Sequence, residues 1–485
     1  EDDKALLAQF AKAAGKTGWR ITLQFPSYLP VMKYADDRNL RETVYRAFAT
    51  RASEFGPADK DNTPVIRELL AIRQKEAELL GFKNYAEVSL ATKMAETPAE
   101  VLTFLEDLAA KSKPWAEKDE KELEAFARNT LGIADFKPWD TAYASEKLRE
   151  AHYSYSDQEV KQYFTLPQVF KGLFGLVERL FDIRITEDTA PVWHKDVKFW
   201  RISDASGKLV AQFYTDLYAR PTKRGGAWMT EYQGQWIEKD GTNVRPHVSL
   251  VMNLSKPTDD RPALLRLGEV ETFLHEFGHA LHGMFANTRF ESLSGTNVWW
   301  DFVELPSQFM ENYATERDFL RTFAFHYETG EPIPDDLIDR IRQSRNYNVA
   351  SACLRQVSFG LLDMAYYTQK EPFEADIIPF EKAAWQKAII GQQLPQTCMT
   401  TQFSHIMAGG YAAGYYSYKW AEVLETDAFG AFQEHGIFDQ ATAQRFRDCV
   451  LSKGGTEHPM TLYKRFRGHE PTIDAMLRRD GIKKQ

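Results

Sequence analysis

Apolar residues recur at intervals of three and four through most of this chain, a pattern that predicts helices. Residues 4–13 (KALLAQFAKA) already read as helix. Thr63-Pro64 supplies a cap and a proline for the first helical position, opening VIRELLAIRQKEAELLGF. Thr97-Pro98-Ala99-Glu100 is a fuller start signal, because the glutamate is placed to reach back toward the cap. Residues 117–124 (EKDEKELE) read as a solvated helix face, and Ser156-Asp157-Gln158-Glu159 as another capping box. After residue 265 the helical period persists to the C-terminus.

Strand-like sequence is confined to one region. Residues 197–203 (VKFWRIS), 208–218 (KLVAQFYTDLY) and 248–254 (VSLVMNL) are rich in β-branched and aromatic residues, with a turn at Asp204-Ala205-Ser206-Gly207. The expected fold is mainly α with one small antiparallel sheet. Repeats and low-complexity linkers are absent from the sequence. A division near residue 155 is expected, into a helical lobe (1–155) and a second region (156–485).

Composition narrows the partners. Among 485 residues, 60 Lys and Arg face 69 Asp and Glu, a net charge of −9. That balance disfavours nucleic acid and anionic membrane surfaces, and no apolar run reaches the ~18 residues of a membrane span. Peptides, proteins or small molecules remain. Cys353, Cys398 and Cys449 show no CxxC spacing, so free thiols in a reducing compartment are expected. The chain begins Glu-Asp-Asp-Lys rather than with Met, which reads as a fragment or processed form. A cytoplasmic location is expected, or an organellar one had a targeting segment been removed.

The chemistry begins at residues 271–285 (ETFLHEFGHALHGMF), which contain His275-Glu276-Phe277-Gly278-His279. H-E-x-x-H places two imidazoles one helical turn apart on one face, where both reach a single zinc ion. Val270, Phe273, Leu274, Phe277, Leu281 and Met284 form the apolar stripe that would bury the helix and leave the histidines toward a cleft. Gly278 costs such a helix about 1 kcal/mol relative to Ala, a cost that close approach of another backbone would explain. Catalytic zinc takes three protein ligands and leaves one position open. A histidine ten residues after His275 would complete one known pattern, but that residue is Phe285. His282 lies two turns from His275 and reaches a common centre poorly. The acids Glu291, Asp301, Glu304 and Glu311 are the alternatives, with Glu304 preferred because the loop at 292–297 can reverse the chain before it. Against this, Asp301 and Glu304 also have capping-box spacing. Ser307, Gln308 and Glu311 share the helical face of Glu304, and one of them could orient a ligand imidazole.

These residues suggest hydrolysis. Zinc would acidify a water molecule, Glu276 would take its proton as general base, and the same carboxyl would return the proton to a departing amine. Residues 403–420 (FSHIMAGGYAAGYYSYKW) offer a flexible loop at Gly409, Gly410 and Gly414, with His405 and several tyrosine hydroxyls as donors to a developing oxyanion. Tyr411, Tyr415 and Tyr418 equally fit a buried helical stripe at spacings of four and three.

The chain resembles the thimet oligopeptidase family of zinc metallopeptidases. The resemblance rests on the motif at 273–279, DFVELPSQFMEN (301–312), residues 403–420 and KRFRGHEP (464–471). Weaker likeness runs through PSYLPVMKYADDR (26–38), SLATKMAETP (89–98) and FYTDLYARPTKRGGAWM (213–229). It implies two helical lobes flanking a deep substrate channel, a gluzincin-like catalytic core with the sheet beside the H-E-x-x-H helix, and one zinc ion on His275, His279 and Glu304. It implies catalytic contacts from Glu276, His405, Tyr411 and Tyr418, and substrate contacts from Tyr415, Tyr416, Gly409 and Gly410. The implied activity is cleavage of internal bonds in short unstructured peptides, by a monomer. Family members are longer at the N-terminus, so part of the channel wall is expected to be missing. The alternatives are a peptidyl-dipeptidase, which needs a fixed cation for the substrate C-terminus, and a non-catalytic zinc-containing peptide-binding protein.

Overall fold

A computed structural model describes residues 2–258 and 261–482. The chain forms two units, one built from Glu1–Ser154 and Arg345–Lys419, the other from Tyr155–Ser344 and Trp420–Lys483. The elements that position functional side chains are the helices α1 (Pro98–Asn129), α2 (Leu166–Phe181), α3 (Leu267–Met284), α4 (Leu305–Glu311) and α5 (Val349–Tyr367). With them goes a sheet of β1 (Ile183–Asp188), β2 (Lys198–Asp204), β3 (Leu209–Tyr218), β4 (Trp228–Gln233) and β5 (His247–Leu254).

Local signals explain the boundaries. Thr97 accepts the Glu100 N–H at the start of α1, while the Glu100 carboxylate turns back to the Glu96 N–H. At 63 the helix begins one residue earlier than its capping signal suggests. Asp61 takes the Thr63 N–H, Asn62 occupies the cap position, and Thr63 is drawn into the first turn. The β2–β3 turn closes on Asp204, whose Oδ1 accepts the N–H groups of Ser206 and Lys208, and Gly207 supplies the positive φ of 84°.

The sheet order is β1-β2-β3-β5-β4. It is mixed, not wholly antiparallel as expected. β3 and β5 run parallel, with Phe213 opposite Val248, and the other three pairings are antiparallel. The chain leaves β3, runs out along β4, and re-enters between the two as β5. A strand inserted beside β4 with antiparallel polarity must match the direction of β3.

The core of the second unit explains why α3 stays in place. Phe170 and Phe174 of α2 meet Trp200 and Phe213 from the sheet and Phe273 and Phe277 from α3, with ring centroids 5.0–6.1 Å apart. Every residue of the predicted α3 stripe is buried. Each such large apolar side chain contributes roughly 1.5–3 kcal/mol, so rotation of α3 about its axis would be very costly. In the first unit, α1 packs along α5, where Gly360 leaves room for Leu105. Cys353, Cys398 and Cys449 are free thiols.

Candidate metal centre

With its apolar stripe buried, α3 turns His275 and His279 the other way, partly accessible. α4 crosses α3 at Gly278. A Cβ there would lie 2.3 Å from the Pro306 carbonyl oxygen and 2.5 Å from Ser307 Cα, so the two backbones are in contact. The approach is fixed upstream by the loop following α3. Buried Gln235 accepts the Thr288 N–H and donates its own backbone N–H to Ser294, and the Gly455 N–H bonds the Leu293 carbonyl.

Glu304 occupies the residue before α4 and is 2 % exposed. Its Oε2 lies 3.3 Å from His275 Nε2 and 3.1 Å from His279 Nε2. All three donor atoms fall within 4.8 Å of one another, and among the described residues they form the one group of three such side chains. Tetrahedral zinc with bonds of about 2.0–2.1 Å sets its ligand atoms about 3.3 Å apart. Two imidazole nitrogens and a carboxylate oxygen at these separations fit that ion. His275 Nδ1 lies 2.6 Å from Glu311 Oε1, so the imidazole donates there and turns Nε2 toward Glu304. Ser307 donates its hydroxyl to Glu304 Oε2 at 2.8 Å. The Glu304 side chain is therefore no cap for its own helix.

Charge follows the geometry. Burial would raise the Glu304 pKa, but the two imidazoles hold the carboxyl well below its ordinary value. Burial would lower His275, but Glu304 and Glu311 hold it well above. Glu276, beside the trio, is 5 % exposed, and burial pushes its carboxyl up against the pull of both histidines. Its Oε2 has no hydrogen-bond partner among the described residues. His282 lies outside the donor group. It is fully buried, burial pushes it down to about 3, and neither ring nitrogen has a partner among the described residues.

A half-buried acid on β4 escaped sequence reasoning. The Glu231 carboxyl sits where Cβ atoms on Gly283 and Gly295 would lie, at 3.2 and 2.8 Å from its Oε2. Burial, reinforced by Glu291, pushes it up to about 7. The folded chain thus keeps a proton that the unfolded chain releases near 4.5, and stability falls as pH rises between those values. Glu231→Gln should therefore match the parent at about pH 4 and exceed it by about 1–3 kcal/mol above pH 7. Thermal unfolding across that range checks this, and a pH-independent difference would refute it.

The residues of the glycine–tyrosine loop belong to the other unit. His405 lies in a short helix, Ser404–Met407, and its ring centroid is 5.8, 5.6 and 6.2 Å from those of Tyr411, Tyr415 and Tyr418. Tyr411 and Tyr418 stack at 4.9 Å. Residues 410–416 are turns rather than helix, so these rings cluster by loop geometry and not as a helical stripe. Tyr415 donates its hydroxyl to Gln356 at 2.9 Å, and Tyr416 is buried. Asp363, inside the apolar run of α5, accepts the backbone N–H groups of Ala413 (2.7 Å) and Tyr415 (2.9 Å) and shapes this turn, in which Ala413 has a φ of 51°. Burial pushes Asp363 up to about 7 despite those bonds. A lone acid among GLLDMAYY was the available signal for it.

Known proteins resemble the chain throughout. A profile of Peptidase family M3 matches residues 31–482. Oligopeptidase A of Salmonella typhimurium and that of Escherichia coli are each 47 % identical over 488 residues, covering 99 % of this chain and 72 % of theirs. Dipeptidyl carboxypeptidase of Salmonella typhimurium is 36 % identical over 99 % of this chain and 71 % of its own. Among solved structures, PZ peptidase A with an inhibitor aligns at a TM-score of 0.56 and 16 % identity, over 99 % of this chain and 73 % of that one.

Proposed function

As the chain belongs to peptidase family M3, we propose that its metal is a single zinc ion held by His275, His279 and Glu304, and that Glu276 is the general base for hydrolysis of short peptides. The chain is a metallopeptidase acting on internal peptide bonds, with peptides as substrates. The observation that carries the finer reading is the spacing of three donor atoms at a tetrahedral edge, with an unpartnered carboxylate oxygen beside them.

Zinc, when bound, supplies Lewis acidity toward the scissile carbonyl and lowers the pKa of water to about 7. The chain's own groups do the rest. Glu311 fixes the tautomer of His275, and Ser307 fixes the rotamer of Glu304. Glu276 takes a proton from the attacking water and passes it to the departing amine. His405, Tyr411 and Tyr418 contact the substrate and donate to the oxyanion as it forms. Tyr415, with its hydroxyl committed to Gln356, and buried Tyr416 hold the loop in place beside Gly409 and Gly410. β4 is an edge strand packed against α3, and an extended peptide adds to it by backbone hydrogen bonds.

No helix among the described residues is long and apolar enough to cross a membrane. Digestion of a mixed-length peptide library, read by mass spectrometry before chelation, after it and after zinc is restored, tests the proposal. Internal cleavage that chelation abolishes and zinc restores is expected. Undiminished cleavage after exhaustive chelation would overturn it.

A further inference from the structure

The helix that shapes the tyrosine loop carries a second group toward it. On α5, Asp363, Phe359 and Arg355 are spaced by four residues and share one face. Phe359 meets Tyr415 edge-on at 5.5 Å, and the Arg355 guanidinium lies 4.3 Å from the Phe359 centroid and 5.8 Å from that of Trp385. The arginine is thus backed by aromatic faces next to the loop.

Its polar edge is uncommitted. Among the described residues the Arg355 guanidinium makes no hydrogen bond and no ion pair. Arg38, Arg41 and Arg73 of this unit are engaged, the first two with Asp140 and the third as donor to the carbonyls of Ile406 and Met407. Glu381, the carboxylate whose charge acts on Arg355, is buried and spent on the backbone N–H groups of Met399 and Thr400 and the Thr400 hydroxyl. Arg355 is nevertheless solvent-accessible. Desolvation by the surrounding protein pulls its pKa down, against the opposing pull of Tyr45, Glu381, Tyr415 and Tyr28. An accessible guanidinium backed by aromatic rings and without an ion pair among the described residues is a receptor for a carboxylate.

We propose that Arg355, backed by Phe359 and Trp385, is a binding site for a carboxylate of the peptide substrate. A guanidinium stacked by its face on aromatic rings keeps its N–H edge free for two parallel hydrogen bonds to a carboxylate. Both a free C-terminus and an acidic side chain supply that chemistry. The proposal rests on the reading that the tyrosine loop borders the substrate, and it identifies the fixed cation that the sequence did not single out.

The test uses four peptides of one core sequence, with free or amidated C-terminus and with or without one glutamate near that end. Each is assayed with the full-length protein, with Arg355→Gln and with Arg355→Lys. The parent should favour a carboxylate-bearing peptide by about tenfold or more in kcat/KM, mostly through KM, as a charge-assisted bond implies. Arg355→Gln should bring that ratio close to one, and Arg355→Lys should restore part of it. The amidation pair reports a C-terminal carboxylate and the glutamate pair a side-chain one. A ratio that survives Arg355→Gln, or an equal loss on all four peptides, would overturn the proposal. Calorimetric binding of the same peptides, with Glu276→Gln as the parent background, reads the preference without turnover. Carboxylate preference through Arg355 in a protein that cleaves nothing would sink the peptidase reading alone.

Discussion

Glu276→Gln is expected to lower kcat on a short peptide by about 10²–10⁴-fold, the usual contribution of a positioned general base, while zinc stays bound. The expectation follows from what the side chain does and does not touch. It follows His275 directly on α3, is almost completely buried, and makes no contribution to the donor trio. Burial pushes its carboxyl up, toward the range where a carboxylate accepts protons well at neutral pH. Glutamine keeps the shape and loses the proton affinity, so packing of α3 against the sheet is preserved. Zinc content by atomic absorption and an unchanged unfolding temperature would show that the metal and fold survive. Turnover within a few-fold of the parent would remove Glu276 from the base role.

Gly278→Ala should be strongly destabilising and should weaken zinc binding, although alanine in mid-helix is ordinarily favoured over glycine by about 0.5–1 kcal/mol. The added methyl would meet the Pro306 carbonyl oxygen and Ser307 Cα, both backbone atoms that no rotamer change can withdraw. α4 would have to retreat, and Glu304, two residues before Pro306, would move with it. Forced overpacking of this kind costs about 1–3 kcal/mol or more, which exceeds the propensity gain. Gly268→Ala is the matched control on the same helix, since no neighbouring atom lies within 4 Å of its added methyl. It should be neutral or slightly stabilising. Unfolding temperatures with zinc titrations on both variants check the pair. A Gly278→Ala protein as stable as Gly268→Ala, with unaltered zinc affinity, would contradict the close backbone crossing.

Much of this site was legible before any coordinates. Two histidines four apart within an apolar stripe define a helix with one buried face and one polar face, and both properties are local. The three longest strands were likewise visible, because β-branched and aromatic runs bounded by turns carry their own period. Gly278 advertised a close approach, since a mid-helix glycine is a cost that packing must offset.

Other features depended on contacts between segments far apart in the chain. Composition carries no trace of chain direction, so the parallel β3–β5 pair appeared only when β4 was seen on the outer edge. Residues 345–419 join the first unit rather than their neighbours in sequence, and no change of composition marks that return. Among Glu291, Asp301, Glu304 and Glu311, spacing left the choice open. The pinned loop and the crossing at Gly278 bring Glu304 to the imidazole nitrogens, send Glu311 to the far side of His275 and leave Glu291 beside Glu231. Arg355 was one of many arginines until the fold set it over Phe359 and Trp385 beside the tyrosine loop.

By itself, then, the sequence determined which faces are apolar and which residues can take part in chemistry, because periodicity and residue type act over a few neighbouring positions. Tertiary structure alone decided which acid meets the histidines, which tyrosines cluster and which rings back Arg355, because those outcomes depend on the packing of segments that no local period relates.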